Sequence, residues 1–366
     1  MIVCVILGTR PEAIKLASAI GELRNHSEIE THVILTGQHR EMVDSVMELF
    51  KLESNRNLNI MKPKQTLTEI TCNSMQGLEK IFTEIKPDLA MVQGDTSTAF
   101  AAALAAFYQQ IPIAHVEAGL RTDNILNPFP EEANRRLISQ IAQFHFAPTD
   151  LAVANLKKSD VTGTIIHTGN TVIDALLTVA KQNPTCEVAG LDWSQYKVIL
   201  ATVHRRENWG KPLEDIIQGF ERILDNYPDT AILLPLHRNP TVREPIKSAL
   251  GNRERVFLTE PLDYKQLVGA IAKCYLLLTD SGGLQEEAPS LGKPVLVLRE
   301  TTERPEAVTA GTAKLIGTDP DKIVFAAGEL LSSKVAYEQM ANAINPFGDG
   351  KAAKRIVAAL IEWFSK

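Results

Sequence analysis

Cysteine is scarce. The four residues Cys4, Cys72, Cys186 and Cys274 lie far apart and form no C-x-x-C pair. Nothing there suggests a cysteine-built zinc or redox centre, and the four read as buried thiols in a reducing compartment. A basic excess is missing too: the formal net charge is -6, so no general positive field exists to hold nucleic acid or an anionic membrane. Any anion must be met by a local site, and the expected partner is small. No apolar run approaches the ~20 residues that span a bilayer. The opening run from Met1 to Gly8 has no basic stretch before it and no small-residue cleavage pattern after it; it reads as a strand and not a signal peptide. The expected location is cytoplasmic. G-x-G-x-x-G and Walker A patterns are both absent, against NAD and P-loop chemistry. Low-complexity segments and short-period repeats are absent as well, which sets aside solenoids and tails.

What is present is a globular balance, 45% hydrophobic and 22% charged, in 366 residues. That length suits two domains better than one core. Short apolar runs alternate with longer amphipathic segments, the rhythm of repeated βα units. Strands are expected near 2–7, 32–36, 88–93, 112–116 and 144–148, then again near 197–203, 231–236, 275–279 and 294–298. These runs are almost continuously apolar, as parallel strands covered on both faces must be. The expectation is an α/β protein of two Rossmann-like domains facing across a cleft, with 181–185 as linker. The domains are placed at 1–168 and 169–350, and the C-terminal helix near 351–366 is placed against the first.

Open parallel sheets bind ligands at the carboxyl ends of their strands, so the residues just after each strand carry the functional signal. After the first strand come Arg10 and Lys15, cations in an opening helix that oppose its macrodipole unless an anion sits among them; two solvated charges are the plainer alternative. Asp95 and Glu117 each follow a buried strand. Asp95 alone could be a helix N-cap. Glu117 is harder to explain that way, because Glu is a poor cap. Glu131 opens a helix after a proline-set loop, where a carboxylate is often only a dipole partner. In the second half His204 follows a strand beside Arg205 and Arg206, which could meet an anion. His237 repeats the placement one strand later. The strongest anion signal is Ser281-Gly282-Gly283, which presents bare backbone N–H groups at a helix start and suits a diphosphate. Either Glu286 and Glu287 only favour that helix dipole or one of them binds ribose hydroxyls, and Arg304, in another loop after a strand, is a candidate phosphate or sugar contact.

These segments, in order, resemble the non-hydrolysing UDP-N-acetylglucosamine 2-epimerases along nearly the whole chain. The matching motifs are GTRPEAIK, QHREM, QGDTST, HVEAGLRT, PFPEEANR, TGNTVIDAL, HRREN, TDSGGLQEEAPSLGKPVLVLRETTERPEAV and NPFGDG. The resemblance implies a GT-B type fold and a homodimer. It also implies reversible epimerisation at C2 of UDP-GlcNAc to UDP-ManNAc without metal or nicotinamide, supplying ManNAc units for bacterial surface polysaccharide. The C2 proton is too weakly acidic for plain abstraction, so the family eliminates UDP to 2-acetamidoglucal and adds it back with protonation on the other face. On resemblance, Asp95, Glu117, Glu131 and His204 are the acid–base set. Arg10, Lys15, Ser281, Gly282, Gly283, Glu287 and Arg304 are the nucleotide-sugar contacts, and Arg135 supports the cleft. The second domain is the UDP-binding one. Gln38, Glu41, Arg206 and His237 resemble a second, allosteric UDP-GlcNAc site. One departure is Asp123, where the pattern more often has Gly, and it bears on how the loop between Glu117 and Glu131 closes. A GT-B glycosyltransferase, which would need an acceptor groove, and a hydrolysing 2-epimerase, which would release free sugar, are the rival enzymes. A non-catalytic nucleotide-sugar sensor has no need of three carboxylates and a histidine together.

Overall fold

The computed structural model describes residues 1–366 except His39, Pro63 and Asp123, and it leaves the side chains of Arg40 and Glu41 undescribed. The reading of Asp123 and the side chain of Glu41 therefore lie outside the described residues. The chain forms two compact units, Met1–Ala175 with Phe347–Lys366, and Leu176–Pro346.

In the first unit the order is β1 (Ile2–Leu7), α1 (Arg10–Arg24), β2 (Glu30–Leu35), α2 (Arg40–Leu49), β3 (Arg56–Asn57), α3 (Leu67–Ile85), β4 (Leu89–Gln93), α4 (Ser97–Tyr108), β5 (Ile113–Val116), α5 (Glu131–Ile141), β6 (Phe144–Ala147), α6 (Asp150–Lys158), β7 (Thr164–His167) and α7 (Thr171–Ala180), within which the boundary falls. The second unit continues with β8 (Lys197–Thr202), α8 (Lys211–Asn226), β9 (Thr230–Pro235), α9 (Pro240–Leu250), β10 (Val256–Thr259), α10 (Tyr264–Lys273), β11 (Leu276–Thr279), α11 (Gly282–Glu287), β12 (Val295–Val297), α12 (Pro305–Thr309), β13 (Ala313–Leu315), α13 (Pro320–Ser332) and α14 (Lys334–Ala341). The last helix, α15 (Ala352–Phe364), belongs to the first unit and packs on α1. Asp174 caps it, accepting from the backbone N–H groups of Ala352 at 3.1 Å and Ala353 at 2.9 Å.

The sheets run β3-β2-β1-β4-β5-β6-β7 and β10-β9-β8-β11-β12-β13, and the strand ladders are parallel. Both follow the doubly wound Rossmann order, in which the chain reverses its winding beside the first strand of the sheet. The apolar runs explain why. β4, β5, β6 and β11 are buried along their whole length, and helices cover both faces of such strands. α4 is nearly all alanine on its inner side, with Ala99, Ala102, Ala103 and Ala106 at zero exposure, so it packs closely on α3. In each sheet the reversal point lies between two strands whose carboxyl ends are neighbours, β1 with β4 and β8 with β11.

Candidate active site

At the first reversal point two turns are stitched together by one carboxylate. Glu12, with no exposed surface, accepts from the backbone N–H groups of Gly8 at 2.9 Å and Thr9 at 2.7 Å, and from the Thr96 hydroxyl at 2.5 Å. Burial pushes its pKa up, against the lowering pull of those bonds. Gly8 is required here, because a Cβ would overlap the hydroxyls of Thr36 and Thr98. Thr96, not Asp95, caps α4, accepting from Ala99 N–H at 3.0 Å. The Asp95 carboxylate instead accepts from Arg135 Nε at 2.8 Å, and its carbonyl accepts from Asn134 Nδ2 at 2.8 Å. Arg135 also donates to the fully buried Glu132 at 3.0 Å, so α5 fixes Asp95 from two sides.

Glu117 follows β5 with φ of 63°, a left-handed conformation that costs a non-glycine residue roughly 1 kcal/mol or more. One of its oxygens faces Lys15 Nζ at 2.5 Å and Gln93 Nε2 at 2.8 Å. An anion beside Lys15 is thus Glu117. Arg10 is exposed at the start of α1, and Glu131 is half-buried as the first residue of α5. Inside the sheet, His115 is fully buried and bonds Gly94 O at 2.7 Å. Burial lowers its pKa to about 3, and His145 beside it falls to about 4 for the same reason.

The second reversal point is organised by Asp280, which is fully buried after β11. One oxygen accepts from the backbone N–H groups of His204 and Arg205, each at 2.8 Å, and from Asn208 Nδ2 at 3.1 Å. The other lies 2.8 Å from His204 Nδ1. Burial opposes the charge on Asp280, yet His204 and these N–H groups outweigh it and hold its pKa below the usual carboxylate range. The His237 ring stands 6.1 Å from that of His204; its pKa is lowered by burial and by His204.

Ser281 precedes α11, with its N–H bonded to the Thr279 hydroxyl at 2.9 Å. A Cβ on Gly282 would meet nothing nearer than Arg205 Nη2 at 3.6 Å, and one on Gly283 nothing nearer than Glu287 at 3.8 Å. Neither glycine is demanded by backbone or packing, and Arg205 Nε is buried without a partner. Arg304 pairs with Glu286, while Glu287 accepts from the Tyr264 phenol at 2.9 Å. Arg299, 5% exposed, gathers Glu207 at 2.5 Å and Glu303 at 2.7 Å. Glu303 drops to about 2, burial being outweighed by Arg299 and Arg205.

The family model described as UDP-N-acetylglucosamine 2-epimerase matches residues 21–361. A Bacillus subtilis UDP-N-acetylglucosamine 2-epimerase is 49% identical over 98% of this chain and 94% of its own length. The Escherichia coli K12 protein of the same name is 48% identical over 98% of each. Among solved structures, a Neisseria meningitidis UDP-GlcNAc 2-epimerase bound to UDP-GlcNAc superimposes with a TM-score of 0.88, at 48% identity over 99% of this chain and 100% of that one. This chain belongs to the UDP-N-acetylglucosamine 2-epimerase family. A UDP-GlcNAc 2-epimerase from Methanocaldococcus jannaschii, in complex with UDP-GlcNAc and UDP, reaches 0.80 at 36% identity over 99% of this chain and 100% of that one.

Within this epimerase frame, the first unit brings Asp95 and Arg135 together, and Lys15 and Glu117. The second brings His204 beside His237, and Gly282 beside Arg205. Of the residues resembling a second site, Gln38 accepts from the Thr98 hydroxyl at 2.8 Å and Arg206 lies 6.0 Å from the Trp209 ring. Sequence reasoning did not single out Glu12, Asp280, Tyr264 or Arg299. Each is a buried polar partner of a residue it did name or of a neighbouring turn. Among the described residues no helix is long and apolar enough to cross a membrane.

Proposed function

We propose that this protein interconverts UDP-GlcNAc and UDP-ManNAc without net hydrolysis. A base removes the C2 proton; the C–H electrons form the C1–C2 double bond of 2-acetamidoglucal, and UDP departs with the electrons of the C1–O bond. An acid then protonates C2 on the opposite face as a UDP oxygen re-forms the bond to C1. Atoms and electrons balance without oxidant or water. Asp95, Glu117, Glu131 and His204 supply the proton-transfer groups, which contribute by being held at hydrogen-bonding distance of the sugar. Ser281, Gly282, Gly283 and Arg304, with Arg10 and Lys15, meet the diphosphate, Glu287 meets the ribose, and Arg135 holds Asp95 in place. Arg205 joins the diphosphate set, since its guanidinium stands over the bare start of α11.

The observation that carries this reading is Glu117. It is a buried carboxylate just past the end of β5, held by Lys15 at 2.5 Å and Gln93 at 2.8 Å, an arrangement that suits a group fixed for proton transfer. The finer proposals are a homodimer in the cytoplasm and a second nucleotide-sugar site at Gln38, Glu41, Arg206 and His237. Proton NMR of the protein with UDP-GlcNAc in D2O, with chelator and no nicotinamide, tests the main reading. UDP-ManNAc deuterated at C2 is expected, and loss of that product in Glu117→Gln ties it to the residue. Accumulation of UDP and free ManNAc would replace the proposal with a hydrolase, and an unchanged sugar would overturn it.

A further inference from the structure

We infer that Tyr264 is a positioning residue that sets how the nucleotide's sugar is read, so that its phenol controls discrimination between ribose and deoxyribose. The inference rests on the reading of Glu287 as the ribose contact.

Of the two adjacent carboxylates on α11, Glu286 is engaged by Arg304, and its carbonyl accepts from Asn345 Nδ2 at 2.7 Å. It is tied into its own unit. Glu287 is anchored differently. Its Oε1 accepts from the Tyr264 phenol at 2.9 Å, while its Oε2 lies 3.8 Å from where a Cβ on Gly283 would stand. The second oxygen is therefore directed toward the glycine start of the helix, on the carboxyl side of β11, where a diphosphate-linked ribose would follow the phosphates.

Tyr264 is suited to hold that orientation. It opens α10, whose cap is fixed by Asp263 accepting from Gln266 N–H at 2.7 Å. Its side chain is buried at 9% exposure. Burial, then the charge of Glu287, raises the phenol pKa well above its ordinary value, so the hydroxyl keeps its proton and can only donate to the carboxylate. A carboxylate offers about four acceptor directions, so a vicinal diol can be accepted without displacing Tyr264. Without the phenol, Oε1 loses the donor that sets it, and because a carboxylate's last torsion is broad and two-fold, its alignment toward two hydroxyls weakens while the packing of the ring does not.

The test is calorimetric binding of UDP and 2′-deoxy-UDP to the full-length protein and to Tyr264→Phe, which keeps the ring and its packing, with circular dichroism to verify the fold. The wild-type protein is expected to prefer UDP by about tenfold, the size of a hydrogen bond to a charged group. In Tyr264→Phe that ratio should fall to about twofold, through weaker UDP binding with deoxy-UDP little changed. A role in packing alone would weaken both equally and leave the ratio at its wild-type value, which would overturn the inference while sparing Glu287. A wild-type ratio near one, the same in Glu287→Gln, would remove the ribose reading and the inference with it. Failure of the wild-type protein to bind UDP at all would overturn the proposed function as well.

Discussion

Gly282→Ala separates the folding role of the glycines from their proposed role in binding, because the two readings predict opposite signs. Gly282 is the first residue of α11, outside the left-handed region, and an added Cβ would meet only Arg205 Nη2 at 3.6 Å, an ordinary contact. In the free protein the change should therefore stabilise slightly, by about 0.5 kcal/mol, through reduced freedom of the unfolded chain. For a unit of this size that raises Tm by roughly 1–2 °C. The new methyl stands between the start of the helix and the Arg205 guanidinium. A phosphate oxygen bridging them would sit about 2.9 Å from each nitrogen, and there is no room for it beside a carbon so placed. UDP affinity should fall at least about tenfold, or about 1.4 kcal/mol, and the rise in Tm that UDP gives the wild-type protein by mass action should shrink accordingly. Thermal melts with and without UDP, and titration calorimetry, measure both quantities. Unchanged UDP affinity would refute the phosphate reading and leave a simple turn; a drop in the ligand-free Tm would refute the statement that the site has room.

Two further perturbations test the buried groups. In Asp280→Asn the side-chain oxygen can still accept the three N–H groups at 2.8, 2.8 and 3.1 Å. The new amide NH2 then faces His204 Nδ1 and drives the imidazole proton to Nε2, so kcat should fall by about hundredfold or more with the fold kept, and nitrogen NMR of His204 should report the changed tautomer. Activity within about threefold of wild type would show that His204 needs no such partner. For His145, an unfolded pKa near 6.5 and a folded value of about 4 mean that the unfolded chain holds the extra proton between those pH values. Its contribution to stability is present above pH 6.5 and is lost as pH falls toward 4, with a slope of about 1.4 kcal/mol per pH unit. His115, at about 3, acts in the same direction. Urea unfolding at pH 6 and pH 5 should show a pH dependence smaller by about one proton in His145→Gln, and an identical slope would show that His145 titrates normally.

The part of the fold legible in the sequence was its interior. Runs such as Ile2–Leu7, and Leu276–Thr279 in all but its last residue, are apolar because helices cover them on both faces, and they were placed within two residues or so. The strands without a sequence signal are β3, β7, β10 and β13, and these are the outer strands of the two sheets. Arg56–Asn57 is two polar residues, Thr164–His167 is exposed at both ends, Val256–Thr259 is only half-buried, and Ala313–Leu315 has an exposed lysine at its centre. An edge strand has one neighbour and partial cover, so its composition need not betray it. Its position is fixed by hydrogen bonds to the strand inside it.

The candidate site divides along the same line. Residues just past buried strands were legible because sheet chemistry puts ligands there: Asp95, Glu117, His204, Ser281. What those residues hold on to was not, since the pairs are far apart in the chain: Asp280 and His204 by 76 residues, Glu12 and Thr96 by 84. Yet both pairs sit at the same topological place. The doubly wound order sets the first strand of each sheet beside the fourth, so the turn after β1 must meet the turn after β4, and the turn after β8 must meet the turn after β11. A buried carboxylate in one such turn will find the donors of the other. Applying that adjacency to the sequence, and not only the rule about carboxyl ends, would have paired Glu12 with the QGDTST turn and Asp280 with the HRREN turn. It would also have shown that Lys15, one helical turn beyond Glu12, lies close enough to the rim to meet Glu117.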